Sequence, residues 1–113
     1  MKSNFCSWPV SHADYFTFQV CELNVRVPET VRGNYIFAKL NGDRWDAVYI
    51  GEGIISERIA AHLNEGDVIK KGATHIHLIQ IEDGVRRKNL ETSLLQFSPE
   101  AYAPKGCNIK KGG

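Results

Sequence analysis

Two phenols, an arginine, a histidine, a carboxylate and an amide follow one another along this chain as Tyr35, Tyr49, Arg58, His62, Glu91 and Asn108. Together they suit chemistry at a phosphodiester. A phenol beside a positive charge ionises more readily and can then take a proton from water. Arg58 offers a planar fork of donors that matches a phosphate. His62, four residues on, shares its face of a helix and can donate to a phosphate or move a proton. Glu91 stands with Leu94 and Leu95 at helical spacing, and a carboxylate beside an apolar stripe is costly unless paired or bound to metal. One carboxylate with waters and phosphate oxygens is a normal Mg²⁺ site. Asn108, in a loop beyond Pro104, could orient a phosphate or hold the edge of such a site. Each residue also has a plain reading: strand tyrosines, an exposed helical pair, a salt bridge from Glu91 to Arg87 or Lys88.

The elements that must position these groups are readable from pattern. Residues 1–14 are polar and irregular, with Pro9 interrupting any element. Tyr15 to Val27 reads as a strand or strand pair, with Phe16, Phe18 and Val20 on one face, ended by Pro28. Asn34–Leu40 and Ala47–Gly51 form an antiparallel hairpin around the turn signal Asn41-Gly42. The register of this hairpin decides whether Tyr35 and Tyr49 share a face. Ile54 to Asn64 reads as a helix capped by Ser56, with Ile55, Ile59 and Leu63 as its buried stripe and Gly66 as its stop. Ala73 to Ile81 is a further strand, ended by Asp83-Gly84. Val85 to Phe97 is a second helix with Leu90, Leu94 and Phe97 inward. Beyond Pro99 the chain reads as loop.

The bulk numbers agree with one folded domain. The 113 residues carry 42% hydrophobic, 24% charged and 10% aromatic side chains, an ordinary globular composition. Net charge is +1. Residues 1–85 hold 8 basic and 11 acidic side chains, whereas 86–113 hold 6 basic and 2 acidic ones. A basic end can neutralise phosphates, and Arg86, Arg87, Lys88 and Lys105 are its candidate contacts to phosphate or DNA. Cys6, Cys21 and Cys107 are odd in number and widely spaced, which argues against a disulfide framework and for reduced thiols in a cytoplasmic setting. There is no signal-peptide pattern and no apolar run near the ~20 residues of a membrane span.

The strings Gly33-Asn34-Tyr35 and Tyr49-Ile50-Gly51, followed by Arg58, His62, Glu91 and Asn108, resemble the GIY-YIG endonuclease family over about residues 33–108. The resemblance implies an α+β fold with a small three-stranded antiparallel sheet flanked by helices, to which the pattern of Tyr15–Val27 adds an extra N-terminal strand within residues 1–32. It makes 33–108 the nuclease domain, 1–32 an N-terminal extension and 109–113 a flexible tail. It implies that Tyr35 and Tyr49 lie in a catalytic pocket with Gly33 and Gly51 as motif glycines. Arg58 would stabilise the transition state, His62 would hold phosphate or move a proton, and Asn108 would shape the site. Glu91 would be the sole protein ligand of one Mg²⁺ or Mn²⁺ ion. The implied activity is metal-dependent hydrolysis of DNA, with no membrane role. Target recognition would come from residues 1–32, a protein partner or a homodimer. The chain departs from the family pattern at Asn34, at His62, where many members have tyrosine, and at Glu52, where many have Lys or Gln.

Three other readings follow from local features. Glu52 and the low net charge fit a catalytically silent module on the same fold that binds nucleic acid or protein. His75 and His77 share a strand face and could chelate Zn²⁺ with His12 or Cys107. Trp45, beside the turn, could stack on a base or cap the hairpin.

Overall fold

In the computed structural model, which describes residues 4–110, five strands build one antiparallel sheet in the order β1-β2-β5-β3-β4. They are β1 Phe5–Pro9, β2 Tyr15–Glu22, β3 Arg32–Asn41, β4 Arg44–Ile54 and β5 His75–Gln80. The helices are α1 Ile55–Glu65, a single turn α2 Asp67–Lys70, and α3 Gly84–Phe97, followed by a 3₁₀ turn at Pro99–Ala101. The α+β class is as expected. The sheet has five strands rather than three, because β2 pairs with β5 and β1 pairs with β2. β1 occupies the stretch expected to be irregular. Pro9 is its last residue, on an edge strand, where a missing N–H costs no ladder bond. Trp8 in the same strand is 4% exposed and anchors it to the core. β2 stops at Glu22, short of Val27; Val25 and Val27 pack on the core from the connecting loop.

The sheet is covered on both faces. Trp8, Phe18, Ile36, Ala38, Ala47 and Ile50 pack with Leu90 and Leu94 of α3. Tyr35, Phe37, Val48 and Ile76 pack with Ile55 and Ile59 of α1 and Val68 of α2. Burying these two apolar layers is the main drive for the fold.

The hairpin that carries both motifs turns through Gly42-Asp43, with Asn41 opposite Arg44. Up to the pair Ala38↔Ala47 the register is regular. Continued unchanged, it would set Tyr49 opposite Ile36, on the α3 face. Instead a bulge at Val48 adds one residue, so that Phe37 pairs with Tyr49 and Tyr35 with Gly51. A one-residue shift exchanges the faces of every later side chain. The bulge therefore carries Tyr49 to the face of Tyr35.

The helix boundaries differ in their chemistry from the sequence expectation. α1 begins without a side-chain cap after Ile54. Ser56 lies inside the first turn with a buried, unpartnered Oγ instead of acting as the cap. Gly66 ends the helix as expected, at φ +75, with its N–H returned to the His62 carbonyl. Asp83, read only as the end of a strand, caps α3 by accepting from the Arg86 N–H at 2.9 Å.

Candidate functional site

Both motif glycines are required by close approach. A Cβ at Gly33 would lie 1.9 Å from the Ile79 carbonyl oxygen, so β3 and β5 could not come together there. A Cβ at Gly51 would lie 2.4 Å from the Tyr35 hydroxyl. The buried phenol of Tyr35 lies across Gly51, its cross-strand partner. The Tyr35 and Tyr49 rings stack with centroids 6.1 Å apart.

His62 closes this group from α1. Its ring centroid is 4.2 Å from that of Tyr49 and 5.3 Å from that of Phe37. Its Nε2 is 3.4 Å from the Tyr35 hydroxyl, and its Nδ1 is 3.3 Å from Asp67 Oδ2. Sequence reasoning passed over Asp67. The signal for it was Gly66: a helix stop between His62 and a carboxylate five residues on folds the chain back toward the last helical turn.

Burial pushes both phenols up, more strongly for Tyr35, and nearby Glu91 raises both. Arg58 opposes these effects at both. The proximity of the two phenols disfavours ionisation of Tyr35 and, among the smaller effects, eases that of Tyr49. The half-buried Tyr49 is thus the phenol better placed to ionise, and it lines an open cavity of about 690 Å³. Glu91, Tyr102 and Asn108 line the same cavity. It runs where α3 and the segment after it meet the outer side of β4. Glu91 comes from the α3 layer and Tyr49 from the α1 layer.

Asn108 is buried, with its side chain bonded to the backbone of one residue, Ile50. Its Oδ1 accepts from the Ile50 N–H at 2.8 Å, and its Nδ2 donates to the Ile50 carbonyl at 2.9 Å. The Cys107 N–H bonds the Val48 carbonyl, and Glu100 accepts from the Ala47 N–H. These contacts cover the edge of β4 and hold it beside Tyr49. The amide shapes the site through the backbone of β4, using its oxygen and one of its two N–H donors.

Arg58 is exposed and lines a second cavity of about 390 Å³ with Glu52, Gly53 and Arg87. It takes part in no ion pair among the described residues. Arg87 is differently occupied. Its Nε donates to Glu52 Oε1 at 2.9 Å, and its Nη1 donates to the carbonyls of Ile81 and Glu82. Arg87 therefore neutralises Glu52 and ties α3 to β4. Arg86, Lys88 and Lys105 are exposed. Lys110 lies over the Tyr102 ring, 5.6 Å from its centroid. Lys111 and the rest of the tail lie outside the described residues.

The paired strand histidines meet a different fate. His77 is fully buried, and its Nδ1 accepts from the Trp8 indole N–H at 3.0 Å. Trp45 packs edge-on against both His75 and His77. His12 packs against Phe97, and Cys107 lies near Asp67. No group of three or more His, Cys, Asp or Glu side chains is arranged to hold a metal among the described residues. The zinc reading of His75 and His77 thus lacks a shell.

No family model, curated protein or solved structure matches the chain. No helix among the described residues is long and apolar enough to cross a membrane.

Proposed function

We propose that this protein is a divalent-metal-dependent endonuclease that hydrolyses phosphodiester bonds in DNA, with a pocket of the GIY-YIG type. One observation carries the reading. Tyr35, Tyr49 and His62, from two strands and a helix, meet with ring centroids 4.2–6.1 Å apart. Arg58 and Glu91 both act electrostatically on the two phenols, Glu91 from the cavity that Tyr49 lines and Arg58 from the second one. Such convergence of titratable groups beside a cavity is a mark of chemistry rather than of packing.

The donor set fits one hard cation. Glu91 is the only carboxylate lining its cavity among the described residues, and Mg²⁺ prefers one or two carboxylates with waters and phosphate oxygens. Held by Glu91, Mg²⁺ or Mn²⁺ would supply the positive charge that polarises a phosphate oxygen and favours departure of the 3′ oxygen. Tyr49 takes the proton of the attacking water, and Tyr35 stabilises the Tyr49 phenolate by donating to it. Arg58 neutralises charge that grows on the phosphate in the transition state. Arg86, Lys88 and Lys105 supply exposed charge toward a polyanion.

The reading as a binding module without cleavage drew on Glu52. Its pairing with Arg87 cancels that carboxylate, so the electrostatic objection to a phosphate nearby lapses.

Supercoiled plasmid and branched DNA incubated with Mg²⁺, Mn²⁺ or EDTA test the proposal, with wild type and Glu91→Ala compared side by side. Nicking that needs the metal and disappears in the folded variant is expected. No cleavage of any substrate by the wild type would overturn it in favour of a binding module.

A further inference from the structure

We infer that Asp67 is a positioning residue that fixes His62 with its Nε2 lone pair aimed at Tyr35, making Asp67–His62–Tyr35–Tyr49 a partly buried proton relay. This rests on the nuclease reading above for its purpose, but its geometry stands separately. Both oxygens of Asp67 lie within 3.4 Å of His62 Nδ1, and Nε2 lies 3.4 Å from the Tyr35 hydroxyl on the other side of the ring. A carboxylate at Nδ1 requires a proton there. The opposite nitrogen of a neutral ring is then an acceptor, and the hydroxyl it faces belongs to Tyr35.

The placement is built rather than incidental. Gly66 in the left-handed region returns the chain so that Asp67 reaches back to the last turn of α1. Phe37, Tyr35 and Tyr49 surround the remaining sides of the imidazole. The Asp67 backbone is itself held, its carbonyl accepting from Cys107 Sγ at 3.4 Å. That contact joins Asp67 to the segment through which Asn108 fixes β4.

In the relay, the Tyr35 O–H bond breaks as an N–H bond forms at His62 Nε2. Tyr35 is reprotonated from Tyr49, leaving the electron pair on the Tyr49 oxygen at the cavity. Imidazolium forms beside the Asp67 carboxylate, so charge is balanced within the pair. The Tyr49 phenolate then accepts the proton of the attacking water, and His62 releases its proton to solvent.

Two readouts test this. Long-range ¹H–¹⁵N NMR of neutral His62 should show the Nδ1–H tautomer in the wild type, although free imidazole favours Nε2–H, and Nε2–H in Asp67→Ala. In single-turnover nicking, Asp67→Asn should lower kcat about 10- to 100-fold, as loss of an orienting partner commonly does, with KM for DNA within about 2-fold. Asp67→Glu should recover part of the loss. Circular dichroism melts establish that the variants fold. The Nε2–H tautomer in wild type, or an unchanged kcat in folded Asp67→Asn, would overturn the inference. A wild type that holds Nδ1–H but cuts no DNA would overturn the nuclease reading and the catalytic use of the relay, while leaving the Asp67–His62 pairing established.

Discussion

Two histidine–aromatic clusters sit on opposite faces of the same sheet. On the α1 face, His62 has a polar partner at each ring nitrogen and adjoins a tyrosine that opens on a cavity. On the α3 face, His77 is 0% exposed, bonds only Trp8 and has an unpartnered Nε2. The residue types are alike, and the partners differ. A histidine with a carboxylate behind it and a phenol ahead can move a proton. One sealed between two indoles is a packing group kept neutral by its surroundings. Burial, with a smaller push from His75, lowers His77 to about 4. The comparison teaches that access and partners, rather than the presence of a histidine among aromatics, separate a site from a core.

The largest effects should fall on the α1 side. Arg58→Ala is expected to cut the nicking rate by about 10²–10³, the usual cost of one donor to a developing anion. Glu91→Gln should lose at least as much, and EDTA should abolish activity in the wild type. Both proteins should melt close to the wild-type temperature, which calorimetry checks.

On the α3 side the effect should appear in stability and not in cleavage. His77 has a folded pKa of about 4, below its unfolded value of about 6.5. The unfolded chain therefore binds a proton that the folded chain refuses. Stability from this group is fully present above about pH 6.5 and is lost as pH falls toward 4. The full loss is on the order of 3 kcal/mol. Urea unfolding at pH 7 and pH 4.5 should show it, and His77→Leu should flatten the dependence.

Gly51→Ala should join both readouts, since the added Cβ would meet the Tyr35 phenol at 2.4 Å. Overpacking of this kind costs about 1–3 kcal/mol. The displaced phenol should also lower kcat, whereas KM should stay near its wild-type value. The smallest effect is expected for Glu52→Gln, which weakens the half-buried pair with Arg87 by about 1 kcal/mol. Denaturant titration at two salt concentrations would register it, with the gap between variant and wild type narrowing at high salt.

Local pattern foretold much of this molecule. Ile55 and Ile59 four apart, with Gly66 behind them, define α1. Asn41-Gly42 marks the hairpin, and Leu90 and Leu94 mark the buried side of α3. What pattern could not carry was nonlocal. β1 is five residues long and ends in Pro9; it exists because β2 offers an edge and Trp8 finds His77 sixty-nine residues away. The bulge at Val48 has no glycine to announce it, yet it decides the face of Tyr49. Glu52 looked unfavourable because Arg87, thirty-five residues on, was not known to reach it. The backbone partner of Asn108 is nonlocal too: its side chain bonds the N–H and carbonyl of Ile50 in β4, which sequence spacing does not reveal.

The most direct measurement is the nicking rate of Arg58→Ala and His77→Leu against wild type on one plasmid with Mg²⁺ at pH 7.5, with folding of each checked by circular dichroism. The site assigned here predicts cleavage lost in Arg58→Ala and retained in His77→Leu. Full activity in folded Arg58→Ala, or loss of activity in folded His77→Leu, would contradict it.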